Sequence, residues 1–144
     1  MAYRPPKGVL TMIVPLDHVA IRVADMDRSI RFYTEVLGLR LMFKETSEEH
    51  RETFAFLELE GGNLELLQSL DESLQPIPYA APVPAPPFTP HIALGTTDLD
   101  EVLQKIAQQG ISLVKGPLLI EGKVRWAYFP DPDGNILEFV QWLG

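Results

Sequence analysis

Two stretches of the chain, 73 residues apart, carry the same succession of apolar and polar positions. Each begins with a short run of alternating character, HVAIRV over 18–23 and HIALG over 91–95. A period of two places Val19, Ile21 and Val23 on one face of a strand, and His18, Ala20 and Arg22 on the other. The period then lengthens. Met26, Ile30, Tyr33 and Leu37 in the first stretch, and Leu99, Val102, Leu103 and Ile106 in the second, form one apolar stripe on each of two helices. Asp25 and Asp98 stand where an N-cap belongs, and Gly38 and Gly110 close the two helices. Strands follow at 39–43 and 111–114. Alternation returns as a hairpin in each half: 53–59 with 64–68 around Glu60-Gly61-Gly62-Asn63, and 124–129 with 136–141 around Asp131-Pro132-Asp133-Gly134.

Sliding 16–68 onto 89–141 without a gap gives ten identities, among them His18 on His91, Asp25 on Asp98, Asp27 on Asp100, Phe56 on Phe129, Glu65 on Glu138 and Gln68 on Gln141. The pattern predicts an α+β fold of two βαβββ modules. Its boundaries are an N-terminal arm over 1–15, a first module over 16–70, a linker over 71–88 and a second module over 89–144. Seven of the 13 prolines fall in 76–90, which favours an extended, polyproline-like path. That segment reads either as a stiff connector or as a flap over a pocket, lined by Tyr79 and Phe88.

Composition narrows the partners. The 144 residues carry a net charge of −8 with no basic block, so a phosphate-tracking surface for nucleic acid is not expected. The absence of cysteine excludes disulfides, thiolate metal sites and a cysteine nucleophile. No run approaches the roughly 18 apolar residues that span a bilayer. The apolar run over 9–14 is too short for a signal peptide and reads as an arm or edge strand, with the cytoplasm as the expected address.

The candidate chemistry lies on the faces turned away from the aliphatic positions. His18 and His91 have small neighbours on their own faces, which leaves room for a cavity. Glu65 shares a face with Asn63 and Leu67, and Glu138 with Ile136 and Val140. A carboxylate among aliphatic side chains is costly to ionise without a counter-charge, and a cation supplies one. Two imidazoles and two carboxylates, one pair from each repeat, make a mixed N/O shell for a divalent ion with positions left open for substrate. His50, in the polar run 48–52, reads as a loop residue.

These residues carry a resemblance. DHVAIRVADMDRSIRFYTEVLGL, LELLQ, HIALGTTDLD and FPDPDGNILEFVQW, together spanning about 16–141, resemble the vicinal oxygen chelate superfamily, which includes glyoxalase I, methylmalonyl-CoA epimerase, extradiol dioxygenases and bleomycin-binding proteins. The resemblance implies a curved mixed sheet, an open barrel around a metal site, with His18, Glu65, His91 and Glu138 as ligands. It is closest to glyoxalase I-like members, a lactoylglutathione lyase-like activity that moves a proton next to a metal-polarised carbonyl through an enediolate. Glu138 is then the first choice of base and Glu65 the second, with Arg22, Lys123 and Arg125 toward an anionic substrate. The family's Asn four residues after the second ligand is here Ser69, and its basic loop is here Leu119-Ile120-Glu121-Gly122-Lys123, both departures from glutathione recognition.

The implied cofactor is one divalent ion, nickel or zinc first, then cobalt, manganese or iron. The implied partners are a small-molecule substrate, such as a thiol adduct, and a second copy in a homodimer, with no nucleic acid and no membrane. Three other readings stay open: an Fe(II) extradiol dioxygenase, an epimerase-like enzyme, or a non-catalytic small-molecule binding protein.

Overall fold

The structure is a computed structural model that describes residues 4, 6–8, 14–84 and 89–144. Most of the apolar run 9–14 and Phe88 lie outside the described residues. The first half contains β1 (His18–Arg22), α1 (Met26–Arg31), β2 (Arg40–Ser47), β3 (Glu52–Glu58) and β4 (Asn63–Ser69). The second contains β5 (His91–Gly95), α2 (Leu99–Gln108), β6 (Lys115–Ile120), β7 (Val124–Pro130) and β8 (Ile136–Trp142). Each half is a four-stranded mixed sheet, ordered β1-β4-β3-β2 and β5-β8-β7-β6, with a parallel pair at one edge. The fold is α+β, as the repeat predicts. The two sheets are curved modules that do not close into a barrel within the chain.

Both helices start as their sequence dictates. Asp25 Oδ1 accepts from the Arg28 N–H at 3.1 Å, and Asp98 Oδ1 from the Glu101 N–H at 3.0 Å. The repeated glutamines fix these helix starts to the sheets. Gln68 Nε2 donates to the Ala24 carbonyl at 2.8 Å, and Gln141 Oε1 accepts from the Leu99 N–H at 2.9 Å. The first helix does not run on to Gly38 as an α-helix. Phe32–Val36 is a π-helical continuation, and the wider turn lets the adjacent Phe32 and Tyr33 both be buried.

Two strand positions differ from expectation. β2 extends to Ser47 because it pairs with β3 out to Glu52. In the second half the strand lies at Lys115–Ile120 rather than 111–114, since Ile111 and Leu113 pack against the core from an irregular connection. Leu119 and Ile120 therefore belong to an edge strand, and only residues 121–123 turn into β7. Pro117 is tolerated there because an edge strand has a side that needs no ladder donor.

The core fixes the register that aims the other face. Leu64 and Leu66 on β4, with Ala55 and Leu57 on β3, are buried under the helices. A slip of β4 by one residue would expose both leucines, at roughly 1.5–3 kcal/mol each. Glu65, between them, is thus held on the opposite face. Leu137 does the same for Glu138. Among the described residues, no helix is long and apolar enough to cross a membrane.

Candidate metal centre

The parallel register brings each histidine to its glutamate. Ala20 lies beside Glu65 and Ala93 beside Glu138, so His18 and His91, two residues earlier on the same faces, lean over the carboxylates. His18 Nε2 is 3.6 Å from Glu65 Oε1, and His91 Nε2 is 3.3 Å from Glu138 Oε1. The carboxylates are the more enclosed members, 15% and 12% exposed against 39% and 23% for the imidazoles. Each imidazole has an aromatic ring against its face: Phe56 for His18 and Tyr128 for His91, both at 5.2 Å between centroids and edge-on.

The other ring nitrogens are engaged. His18 Nδ1 lies 2.5 Å from Asp17 Oδ2, and His91 Nδ1 lies 2.8 Å from the Thr89 carbonyl. That contact with Asp17 is the main reason the His18 imidazolium is favoured, with burial opposing it and Glu65 adding to it. In the second half, Trp126 Nε1 donates to the Tyr128 hydroxyl at 3.2 Å. Burial first, and then the Glu138 carboxylate, push the Tyr128 phenol above its ordinary value.

The donor set suits a divalent ion of intermediate hardness: two imidazole Nε2 atoms that face carboxylates, and the two part-buried carboxylates themselves. The chain presents it as two half-shells. Among the described residues no three His, Asp or Glu side chains converge as a metal-binding group. The four expected ligands are thus brought together in pairs, one on the open face of each sheet.

The cations divide. Arg22 shares the His18 face, and its guanidinium lies 5.0 Å from the centroid of the Tyr79 ring. It lines a cavity of about 570 Å³ at the seam between the modules, with Tyr79, His91, Asn135 and Ile136. Tyr79 therefore lines a pocket, and its hydroxyl is 3.1 Å from Asn135 Oδ1. The linker is docked further by the Ala81 N–H on the Asp133 carbonyl at 2.9 Å.

Arg125 is turned the other way. Its register partner is Gln141, on the face opposite Glu138, and its guanidinium grips Asp100 at the start of α2 at 2.8 and 3.3 Å. It serves the helix as Lys44 serves Asp27 in the first half. Lys123 lies in the turn beside Val124, whose β8 partner Trp142 is roughly 13 Å along the strand from Glu138. Neither Lys123 nor Arg125 reaches the His91–Glu138 pair. His50 is in the β2–β3 turn, as its polar surroundings imply.

Asp17 and Tyr128 are the members of this surface that the repeat does not flag, and it matches Phe56 to Phe129 rather than to Tyr128. An acid directly before the first histidine is the one signal available for Asp17.

Comparison with known proteins bears on this arrangement. The family model for the Glyoxalase/Bleomycin resistance protein/Dioxygenase superfamily matches residues 15–139. A lactoylglutathione lyase of Haemophilus influenzae is 32% identical over 132 residues, covering 86% of this chain and 90% of that protein. A virulence protein of Salmonella typhimurium is 29% identical over 146 residues, covering 99% and 94%. Among solved structures, the trypanothione-dependent glyoxalase I of Leishmania major superposes with a TM-score of 0.69 at 27% identity, covering 90% of this chain and 87% of that one. An antibiotic-binding protein from Streptomyces shares the fold, with a TM-score of 0.67 at 20% identity over 92% of this chain and 99% of that one.

Proposed function

The chain belongs to the Glyoxalase/Bleomycin resistance protein/Dioxygenase superfamily, and we propose that within it this protein is a metal-dependent lyase or isomerase of the glyoxalase I type. One observation carries the reading: each module presents a histidine Nε2 within 3.3–3.6 Å of a carboxylate oxygen, on an open face lined by an aromatic ring. Relatives named lactoylglutathione lyase support it at 31–32% identity.

His18, Glu65, His91 and Glu138 would hold one divalent ion, nickel or zinc first and otherwise cobalt, manganese or iron. When bound, such an ion supplies Lewis-acid polarisation of a substrate carbonyl. The rest falls to the chain's own residues. Glu138 takes the proton next to that carbonyl and returns it, with Glu65 as the alternative, because a base must sit within hydrogen-bond reach of the proton it moves. Phe56 and Tyr128 shield the carboxylates from water, which strengthens every charge interaction between them. Arg22, the cation on the His18 face, meets an anionic group of the substrate through its planar fork.

The shell closes when the first module of one copy faces the second module of another. Large apolar side chains on the open faces, Phe43 at 40% and Trp142 at 67% exposure, favour such a cover. A symmetric dimer builds two equivalent sites in this way.

The test is metal analysis of untagged protein, with turnover of the methylglyoxal–glutathione hemithioacetal measured without oxygen and of a catechol measured with and without it. About one nickel or zinc per chain with turnover is expected. Activity that needs both iron and oxygen would replace this reading with ring-cleaving chemistry. No ion above background would replace it with small-molecule binding.

A further inference from the structure

The two histidines reach their carboxylates by different means, and the difference points to a residue with no place in the shell itself. A neutral imidazole carries one proton, and whichever nitrogen holds it cannot offer a lone pair. His91 Nδ1 faces the Thr89 main-chain carbonyl, which can only accept, so in the neutral ring the proton belongs on Nδ1 while Nε2 faces Glu138. No side-chain substitution removes that carbonyl. For His18 the same task falls to a side chain. Asp17 Oδ2 is 2.5 Å from Nδ1, and an ionised carboxylate likewise only accepts.

Asp17 is also fixed where this matters. Its own carbonyl accepts from the Asn63 N–H at 2.9 Å, two residues before Glu65 on β4. The backbone that carries Asp17 is therefore tied to the strand that carries the glutamate. The Phe56 ring, edge-on at 5.2 Å, limits the swing of the imidazole from the side. With both constraints in place Nε2 has one direction, toward Glu65.

We infer that Asp17 is a positioning residue: it holds His18 as the Nδ1–H tautomer with Nε2 aimed at the Glu65 carboxylate. This rests on the metal-dependent reading proposed above, and it assigns Asp17 no contact with substrate. A ligating imidazole whose second nitrogen faces a carboxylate is oriented and made more basic, and loss of such a partner costs about 10- to 100-fold in metal affinity.

The experiment is calorimetric titration of wild type, Asp17→Asn and Asp17→Ala with Ni²⁺. It is paired with ¹⁵N NMR of the His18 ring nitrogens in metal-free protein. Asp17→Ala is expected to bind Ni²⁺ about 10- to 100-fold more weakly, with Asp17→Asn in between because the amide oxygen keeps an acceptor without the charge. In metal-free wild type, at a pH high enough to leave the imidazole neutral, the proton should sit on Nδ1, and in Asp17→Ala it should redistribute toward Nε2. Asp17 is largely exposed, so neither variant should lose its fold.

If Asp17→Ala binds Ni²⁺ within roughly twofold of wild type and keeps the Nδ1–H tautomer, the inference is overturned and the metal reading stands. If wild type itself takes up no ion, the metal reading fails and this inference fails with it.

Discussion

The Tyr33 hydroxyl donates to Asp131 Oδ2 at 2.9 Å, and through that bond the helix of the first module is tied to the β7–β8 turn of the second. Both groups are buried. Arg28 and Ser29 reach the same turn, donating to the two oxygens of the buried Asp133 at 2.6 and 3.4 Å. The relative placement of the two sheets, and hence of the two half-shells, depends on this polar joint.

Tyr33→Phe should therefore loosen the joint without emptying it. Asp131 keeps the N–H groups of Asp133 and Asn135 on Oδ1 and the Asn135 amide on Oδ2, all at 2.9 Å, so no buried oxygen is stranded. A loss of about 1 kcal/mol is expected. Urea denaturation checks it, with the midpoint lowered and the slope unchanged. A loss of several kcal/mol would mean that the hydroxyl does more than this one bond.

Asp131 also predicts a pH dependence. Burial raises its carboxyl above the ordinary 3.8, against the pull of hydrogen bonds from Asn135, Tyr33 and the main chain. An acid whose folded value is raised binds its proton more tightly when folded. Its contribution to stability is therefore highest below the unfolded value and declines as pH rises through the folded one. Asp27 and Asp100, lowered by Lys44 and Arg125, act in the opposite sense. The comparison that isolates Asp131 is wild type against Asp131→Asn, by denaturation between about pH 3 and 7. The variant should gain relative to wild type as pH rises. A difference that stays flat would show that the hydrogen bonds cancel the cost of burial.

The two arginines should separate cleanly. Arg125→Ala breaks an ion pair with the exposed Asp100, which is expected to leave the denaturation midpoint almost unmoved and KM unchanged. Arg22→Ala removes the cation of the His18 face and should raise KM for an anionic substrate by about tenfold or more, with kcat changing less. Steady-state kinetics on both variants checks this. An unchanged KM in Arg22→Ala would take Arg22 out of the site.

How far the chain could be read from its letters follows from what periodicity records. Strand alternation fixes which residues share a face, so the His–Glu faces and the βαβββ order were legible. Alternation does not record turn length. The second hairpin is one residue longer: Phe56 lies opposite Glu65 across nine positions, and Tyr128 opposite Glu138 across ten. The gapless match of Phe56 with Phe129 therefore joins residues on opposite faces, since Phe129 is buried in the core and stacks on Phe139. The true counterpart of Phe56 is Tyr128, and by the same shift Arg125 falls on the helix side. The place of β6 was hidden for a related reason: Ile111 and Leu113 are apolar because they fill the core, without joining a ladder. The meeting of the half-shells is a matter of how modules pack, which a period within one strand does not encode.

If each site joins the first module of one copy to the second module of its partner, defects in different modules should complement. Dimers of Glu65→Ala alone lack that carboxylate at both sites, and dimers of Glu138→Ala alone lack the other. In a mixed dimer, one site receives both damaged modules and the other receives two intact ones. Random pairing makes half the dimers mixed, each with one whole site, so co-expression should restore about a quarter of the wild-type turnover and tight Ni²⁺ binding. A site built within one chain allows no such rescue, because every chain in the mixture carries a damaged module. Recovery near a quarter supports the shared shell, and activity no higher than that of the separate variants overturns it.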